Sequence, residues 1–287
     1  MAATILEGGP IADRIKQELK QQVKELQSTK PPRLVSVLAG DNPGAKYYAK
    51  SQQRDCEALG IGYELKQLPA DVDEEEIRSV IAGLNDDEAV TGIILLVPVP
   101  EHLDARALQA QILPAKDVDG VHPANLGRVV QGDRTLAPCT AQAAVTMVEE
   151  SGVEIEGAEV VMVGHSEIVG KPTALLLLEP LATVTVCHIG TKDTAAHTRN
   201  AEIVIVATGV PGLVKPDWIK EGALVVDVGI NRVKDDEGNT KIVGDVDPGV
   251  EDVAGILTPV PGGVGAVTSA MLMKNTVAAA QRQAGGQ

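Results

Sequence analysis

Phenylalanine is missing from this 287-residue chain, and the other aromatics are down to one Trp and three Tyr. Single-stranded nucleic acids are usually held on exposed aromatic faces, so the chain has almost nothing to offer that class of partner. Basic residues are also in short supply. Lys and Arg number 25 against 40 Asp and Glu, a formal net charge of −15. Phosphate backbones and anionic lipid surfaces are repelled by such a protein as a whole. An anionic ligand must rely on local donors, such as helix N-termini and Gly-rich loops. Cys56, Cys139 and Cys187 are far apart and odd in number, which argues against a disulfide framework and a zinc site and suits a reducing compartment. His102, His122, His165, His188 and His197 show no H-x-x-x-H spacing, so no metal is expected. There is no run of about 18 uncharged apolar residues that would span a membrane. The opening MAATILEGGP lacks the basic segment and apolar core of a secretory signal. These absences together point to a soluble, cytoplasmic protein.

What is present is a regular alternation. The length fits two domains. Residues 11–26 read as a helix, 34–38 as a strand, 45–59 as a helix and 63–65 as a short strand. The acidic DVDEEE at 71–76 opens another helix, with negative charge at the end the helix dipole prefers. Gly92–Val97 is an uninterrupted apolar run, the mark of a buried parallel strand, and Pro98-Val99-Pro100 stops it. A second series begins after about Thr140, with strands expected at 160–163, 183–187, 203–207 and 224–228 and a helix at 169–178. Lys234 to Lys241 reads as a hairpin turn, and a last helix runs from about 266 to 280. Alternating β and α elements predict an α/β protein with parallel sheets and helices on both faces. The expected division is an N-terminal α/β domain at 1–140, completed by about 268–287, and a dinucleotide-binding parallel-sheet domain at 141–267.

Three segments carry candidate chemistry. Gly164-His165-Ser166-Glu167-Ile168-Val169-Gly170 directly follows the apolar VVMV and opens a helix, the place where dinucleotide phosphates sit in a doubly wound sheet. Its spacing is not G-x-G-x-x-G, and glycines here also suit a plain tight turn. Ser166 is not a nucleophile elbow, because Ile168 stands where glycine is required. The next strand ends Cys187-His188-Ile189-Gly190, with neither the carboxylate that grips an adenine ribose nor an Arg, so the usual rule does not separate NAD from NADP. Lys116-Asp117-Val118-Asp119-Gly120 lacks the later ligands of a calcium loop. It is either a solvated turn or a carboxylate offered to a ligand's N–H groups. Thr258-Pro259-Val260-Pro261-Gly262-Gly263-Val264-Gly265 joins rigid Pro to permissive Gly before a helix, and either shapes a site or only starts that helix.

In order along the chain, Tyr48 with CEALGI, GIILLVPVP, KDVDGVHPANLGR, PCTAQAA, VVMVGHSEIVGKP, IKEGALVVDVGINR, GDV and TPVPGGVG resemble the methylenetetrahydrofolate dehydrogenase/methenyltetrahydrofolate cyclohydrolase family. The resemblance covers nearly the whole chain. It implies an N-terminal substrate domain, a Rossmann-like NAD(P) domain, a cleft between them, a final helix packed back on the first domain, and a homodimer. It implies a small-molecule folate substrate and NADP as cofactor, with NAD possible. Tyr48 is expected to pack on the pterin and Asp119 to hold its ring nitrogens and amino group. Leu96, Pro259, Gly262 and Gly263 are expected to border the substrate. Gly164, His165, Ser166, Ile168, Gly170, His188, Thr208, Gly209 and Ile230 are expected to bind the cofactor.

The chain departs from the family pattern at two linked places. The family reads Tyr-x-x-x-Lys, but Gln52 stands at the Lys position. It reads Gln in the strand that precedes the prolines, but Leu96 is there instead. Lys50 is no obvious substitute, since two residues along a helix turn a side chain by about 200°. Hydride transfer needs orientation and an acceptor, whereas hydrolysis of the methenyl product needs positioned proton transfer. The expected activity is therefore a methylenetetrahydrofolate dehydrogenase with its cyclohydrolase lost or strongly weakened. The competing readings are the full bifunctional enzyme and a non-catalytic folate- or nucleotide-binding protein. His165, in place of the family's common Arg, bears on cofactor choice, because a 2′-phosphate is gripped best by Arg.

Overall fold

The computed structural model of the protein describes residues 2–234 and 238–285. A two-residue strand, β1 (Thr4–Ile5), leads into α1 (Gly8–Leu26), β2 (Arg33–Ala39), α2 (Pro43–Leu59), β3 (Gly62–Leu68), α3 (Glu74–Asp86) and β4 (Gly92–Leu95). The short helices α4 (Ala105–Gln109) and α5 (Pro123–Val130) precede α6 (Cys139–Glu150). Then come β5 (Glu159–Val163), α7 (Gly170–Leu178), β6 (Thr183–Cys187), α8 (Thr194–Thr198), β7 (Ile203–Val206) and β8 (Leu224–Asp227). The chain closes with β9 (Asn231–Lys234), β10 (Thr240–Val243), β11 (Ile256–Leu257) and α9 (Val264–Ala284). Strands β9 and β10 pair antiparallel. The turn expected between them includes residues 235–237, which lie outside the described residues.

The chain divides into two compact units, Asp13–Cys139 with Ser269–Gln287, and Met1–Ala12 with Thr140–Thr268. The first twelve residues thus group with the later sequence and not with the N-terminal domain, a boundary that differs from the sequence expectation. The cause is strand pairing: β1 lies parallel to β11, with Thr4 opposite Ile256 and Ile5 opposite Leu257. A two-residue strand paired across some 250 positions leaves no local pattern to read.

The first unit is built on a parallel sheet of order β3-β2-β4. Strand β2 is central, and Leu34, Val35, Val37 and Leu38 are all fully buried, which explains its continuous apolar run. Helix α3 starts at Asp73, whose side chain accepts from Glu76 N at 2.7 Å, and it packs Ile77, Ile81 and Leu84 against β2 and β4. Helix α2 starts at Asn42, whose side chain accepts from the amides of Gly44 and Ala45, and it ends at Gly60 in the left-handed conformation (φ 79°). Its buried stripe is Ala45, Ala49, Gln52, Cys56 and Leu59. The C-terminal part of α9 belongs to this unit, and Asn275 Nδ2 donates to Val118 O and Ala137 O at 2.9 and 3.0 Å.

The second unit holds a six-stranded sheet of order β1-β11-β8-β7-β5-β6, with every neighbouring pair parallel. Val161, Val163, Val204, Val206 and Val225 form its core with Cys187 and Val250. The chain leaves β5 for β6 on one side and returns to β7 on the other. The carboxyl end of β5 is therefore the point where strand order reverses, and crevices form there.

Candidate functional site

In the first unit, helix α2 places Tyr48, Gln52 and Asp55 on one face by their spacing of four and three residues. Gln52 is fully buried. Its Oε1 accepts from Ser36 Oγ at 2.7 Å and from Tyr63 OH at 3.4 Å. Its Nε2 is buried and finds no partner. An unpaired buried donor costs about 1–3 kcal/mol, and the nearby phenol of Tyr48, whose pKa Gln52 works to lower, is the polar group beside it. Asp55 takes Lys16 Nζ on one oxygen at 2.6 Å and leaves Oδ2 unpartnered. Leu96, just past β4, is 2% exposed and spends its N–H on Val37 O. It presents no polar atom where the family pattern has an amide.

Asp119 comes close to Tyr48 through the turn that follows the bridge between Ile93 and Asp117. Asp117 builds this turn. Its carboxylate is fully buried and accepts from Gly120 N (3.1 Å), His122 N (2.8 Å) and Asn125 Nδ2 (2.8 Å). A Cβ at Gly120 would strike Ala137 O, and its φ is 78°, so only glycine lets the turn close. Burial, reinforced by the charge of Asp117, pushes Asp119 up to about 7. Its side chain accepts no hydrogen bond among the described residues, unlike its neighbour. Tyr48 is half-buried, and its phenol is held well above the usual range by burial and then by Cys139, Asp119 and Asp55, with Gln52 opposing. The phenol thus stays protonated, with Gln52, Asp119 and Asp55 all within electrostatic reach of it. Sequence reasoning passed over Ser36, Tyr63 and Asp117, although the paired Asp of K-D-V-D-G was a signal for the last.

In the second unit, the turn after β5 is tight for steric reasons. A Cβ at Gly164 would strike Ala207 O, and one at Gly170 would strike Gly164 O. Ser166 Oγ accepts from Val169 N and Gly170 N at 3.2 and 3.3 Å, so the hydroxyl closes the turn onto α7. His165 and Ile168 are exposed on it. His188, after β6, brings its ring to 4.9 Å from that of His165. Its Nδ1 accepts from Gly190 N at 3.1 Å, so the ring proton sits on Nε2 and faces outward as a donor. Thr208 and Gly209 follow β7, and Ile230, exposed, follows β8. All of these stand at the carboxyl ends of parallel strands around the reversal point. A glycine turn at the reversal point, with the His188 ring beside it, fits a dinucleotide there.

Pro259, Gly262 and Gly263 belong to this same unit and not to that of Tyr48, Leu96 and Asp119. Gly262 has a φ of 108°, and its O accepts from Gly8 N at 2.8 Å. Two further carboxylates, Asp227 and Asp245, are buried beneath these loops. Burial, with Asp245 adding to it, pushes Asp227 up to about 6. Among the described residues no group of three or more His, Cys, Asp and Glu is placed to hold a metal ion, and no helix is long and apolar enough to cross a membrane.

Comparison with known proteins follows the same two-part division. Residues 6–119 match the tetrahydrofolate dehydrogenase/cyclohydrolase catalytic domain, and residues 138–284 match the NAD(P)-binding domain of the same family. The bifunctional protein FolD of Rhodobacter capsulatus is 48% identical over 281 residues, covering 97% of this chain and 94% of that one. FolD 3 of Roseobacter denitrificans, also described as bifunctional, is 46% identical over 280 residues, covering 97% and 96%. The crystal structure of the bifunctional FolD methylenetetrahydrofolate dehydrogenase/cyclohydrolase from Campylobacter jejuni superposes with a TM-score of 0.92 at 41% identity, covering 98% of this chain and 99% of that one. The Trypanosoma brucei FolD, solved with NADP and an inhibitor, gives 0.92 at 37% identity with 98% of each chain covered. Both halves match in order and over almost their full length, so the chain belongs to the tetrahydrofolate dehydrogenase/cyclohydrolase family.

Proposed function

We propose that this protein oxidises 5,10-methylenetetrahydrofolate to methenyltetrahydrofolate with NADP⁺, and that it hydrolyses the product weakly or not at all. The observation that carries the second half is Gln52, fully buried with an unpartnered Nε2 and held through Oε1 by Ser36.

On this reading Tyr48 packs on the pterin, and Asp119 accepts hydrogen bonds from its N–H groups as a carboxylate. The Gln52 amide donates to the substrate without taking a proton from it. Proximity and orientation suffice for transfer of a hydride. The bound nicotinamide supplies the hydride acceptor. The turn from Gly164 to Gly170 holds the cofactor phosphates, with Thr208, Gly209 and Ile230 beside its other half. Hydrolysis is a different demand, because water must be deprotonated as it attacks and the leaving nitrogen must be protonated. An amide at Gln52 has no basic nitrogen, Leu96 has no polar group, and Lys50 is exposed on another face of α2. NADP is favoured by the NADP-bound trypanosomal relative and by the outward donor of His188 in a strand end free of carboxylate.

The bifunctional reading is favoured by the relatives, which are named as bifunctional. One assay separates the two. Reduced cofactor and methenyltetrahydrofolate are followed together by absorbance, with NADP⁺ and then NAD⁺. Parallel accumulation of both is expected, with the lower KM for NADP⁺. Loss of methenyltetrahydrofolate faster than its spontaneous hydrolysis identifies the bifunctional enzyme. No turnover with either cofactor leaves a binding protein.

A further inference from the structure

The loops that follow β7 and β8 in the second unit are not secured by the sheet alone. They hang on two buried carboxylates. Asp245 is fully buried and Asp227 is 4% exposed. Asp245 Oδ2 accepts from Thr208 N (2.5 Å), Thr208 Oγ1 (2.9 Å) and Gly209 N (2.8 Å), and its Oδ1 accepts from Asn231 Nδ2 (2.7 Å). Asp227 Oδ1 accepts from Gly229 N (2.9 Å) and Asp245 N (3.0 Å), and its Oδ2 accepts from Val246 N (2.9 Å). The N–H of Asp227 donates to Thr258 Oγ1 at 2.8 Å, at the head of the Pro-Gly loop.

Two glycines are shaped to these carboxylates. A Cβ at Gly229 would collide with Asp245, and one at Gly244 would collide with Asp227. The stretches D-V-G-I-N and G-D-V are therefore one interlocked unit. Burying two acidic groups side by side is costly, and a fold that needed only core volume would use apolar residues. Here Asp245 holds Thr208 and Gly209 after β7, and Asp227 holds Gly229 after β8 and ties the backbone of Asp245 and Val246 to it, so the pair fixes segments at the carboxyl ends of two parallel strands, where ligands of such sheets bind.

We propose that Asp227 and Asp245 form a buried clamp that positions Thr208, Gly209 and Ile230 for the nicotinamide dinucleotide, making both aspartates positioning residues of the cofactor site. The inference rests on the cofactor reading given above.

Asp245→Asn keeps the shape but turns one acceptor into a donor. With its oxygen kept toward Thr208 and Gly209, its new NH₂ faces the NH₂ of Asn231. Adding Asn231→Asp gives that NH₂ an acceptor again and restores the charge. The wild type, D245N and D245N/N231D are titrated with NADPH and NADH by fluorescence. Amide hydrogen exchange at Thr208 and Gly209 and both KM values are measured alongside. D245N is expected to weaken NADPH binding by about tenfold or more, to speed exchange at those amides, and to raise the cofactor KM while the folate KM stays within about twofold. The swapped double variant is expected to recover most of the loss. Wild-type binding by D245N, or a double variant no better than D245N, overturns the clamp. If D245N does not fold, Asn231→Ala removes a single donor. About threefold weaker NADPH binding is then expected, and unchanged binding overturns the clamp. If the wild type binds neither NADPH nor NADH, the cofactor reading falls and the clamp falls with it. Wild-type binding alongside an unaffected variant removes the clamp alone.

Discussion

The two compact units bury polar groups in opposite states. In the first, Gln52 and Asp55 each keep a buried polar atom without a partner, and the half-buried Asp119 carboxyl accepts no hydrogen bond among the described residues. In the second, Asp227 and Asp245 are met on both oxygens by N–H and O–H donors. Native interiors seldom leave buried donors or acceptors unpaired, and on the proposed function the first pattern marks groups whose partner is the substrate. The second marks groups that aim other residues. Asp117 and Asp119 repeat the contrast two residues apart: one is saturated and builds the turn, while the other is open and held up to about 7. Thr173 of α7 is the exception among the described residues of the second unit, with a buried Oγ1 that has no partner.

The largest effect should come from removing the open carboxylate. Asp119→Asn is expected to lower kcat/KM for methylenetetrahydrofolate by about 100-fold, in line with loss of charge-assisted hydrogen bonds, while NADPH affinity measured by fluorescence stays unchanged. Equal loss on both ligands would erase the distinction between the units. Next is the gain of function. Gln52→Lys combined with Leu96→Gln restores a proton-transferring group and a polar neighbour, and should hydrolyse methenyltetrahydrofolate at least about tenfold faster than the unaltered protein. Gln52→Lys alone should recover less, since Leu96 leaves the new ammonium unpaired.

The pH dependence is of similar or smaller size. On the proposed function Asp119 binds folate as a carboxylate, so with its pKa up at about 7 folate affinity should fall by about tenfold between pH 8 and pH 6, and Asp119→Asn should flatten the profile. In the free protein the sign is opposite. The raised pKa means that the contribution of Asp119 to stability is whole below its unfolded value of 3.8 and is lost as pH rises through about 7. Thermal melts without ligand should therefore favour acid on this group's account, and Asp119→Asn should remove that slope. The smallest effect is expected at Ser36→Ala, which takes away one bond to Gln52. A loss of about 1 kcal/mol and a Tm lower by a few degrees should follow.

Much of the scaffold was legible because it is local. The strand expected at 183–187 coincides with β6, and the acidic opening at 71–76 lies where Asp73 caps α3. These features need only side-chain period and cap chemistry. Helix α6 escaped notice because Ala, Thr and Val over 139–150 have weak periodicity and the helix is buried along most of its length. Strands β1 and β11 escaped notice because two residues each carry no pattern. At the site, Tyr48, Gln52 and Asp119 were read from their motifs. Asp227 and Asp245 were not singled out, since a lone Asp at a strand end reads as surface until its donors are placed.

The sequence alone thus determined the α/β alternation, the family, and the substitution of Gln52 and Leu96 for a Lys–Gln pair, because periodicity and residue identity are properties of the chain itself. Only the tertiary structure decided which polar groups are left open and which are satisfied. Gln52 meets Ser36 across 16 positions and Asp245 meets Thr208 across 37. Hydrogen-bond satisfaction is a relation between distant segments, and it exists only once burial has removed water from both.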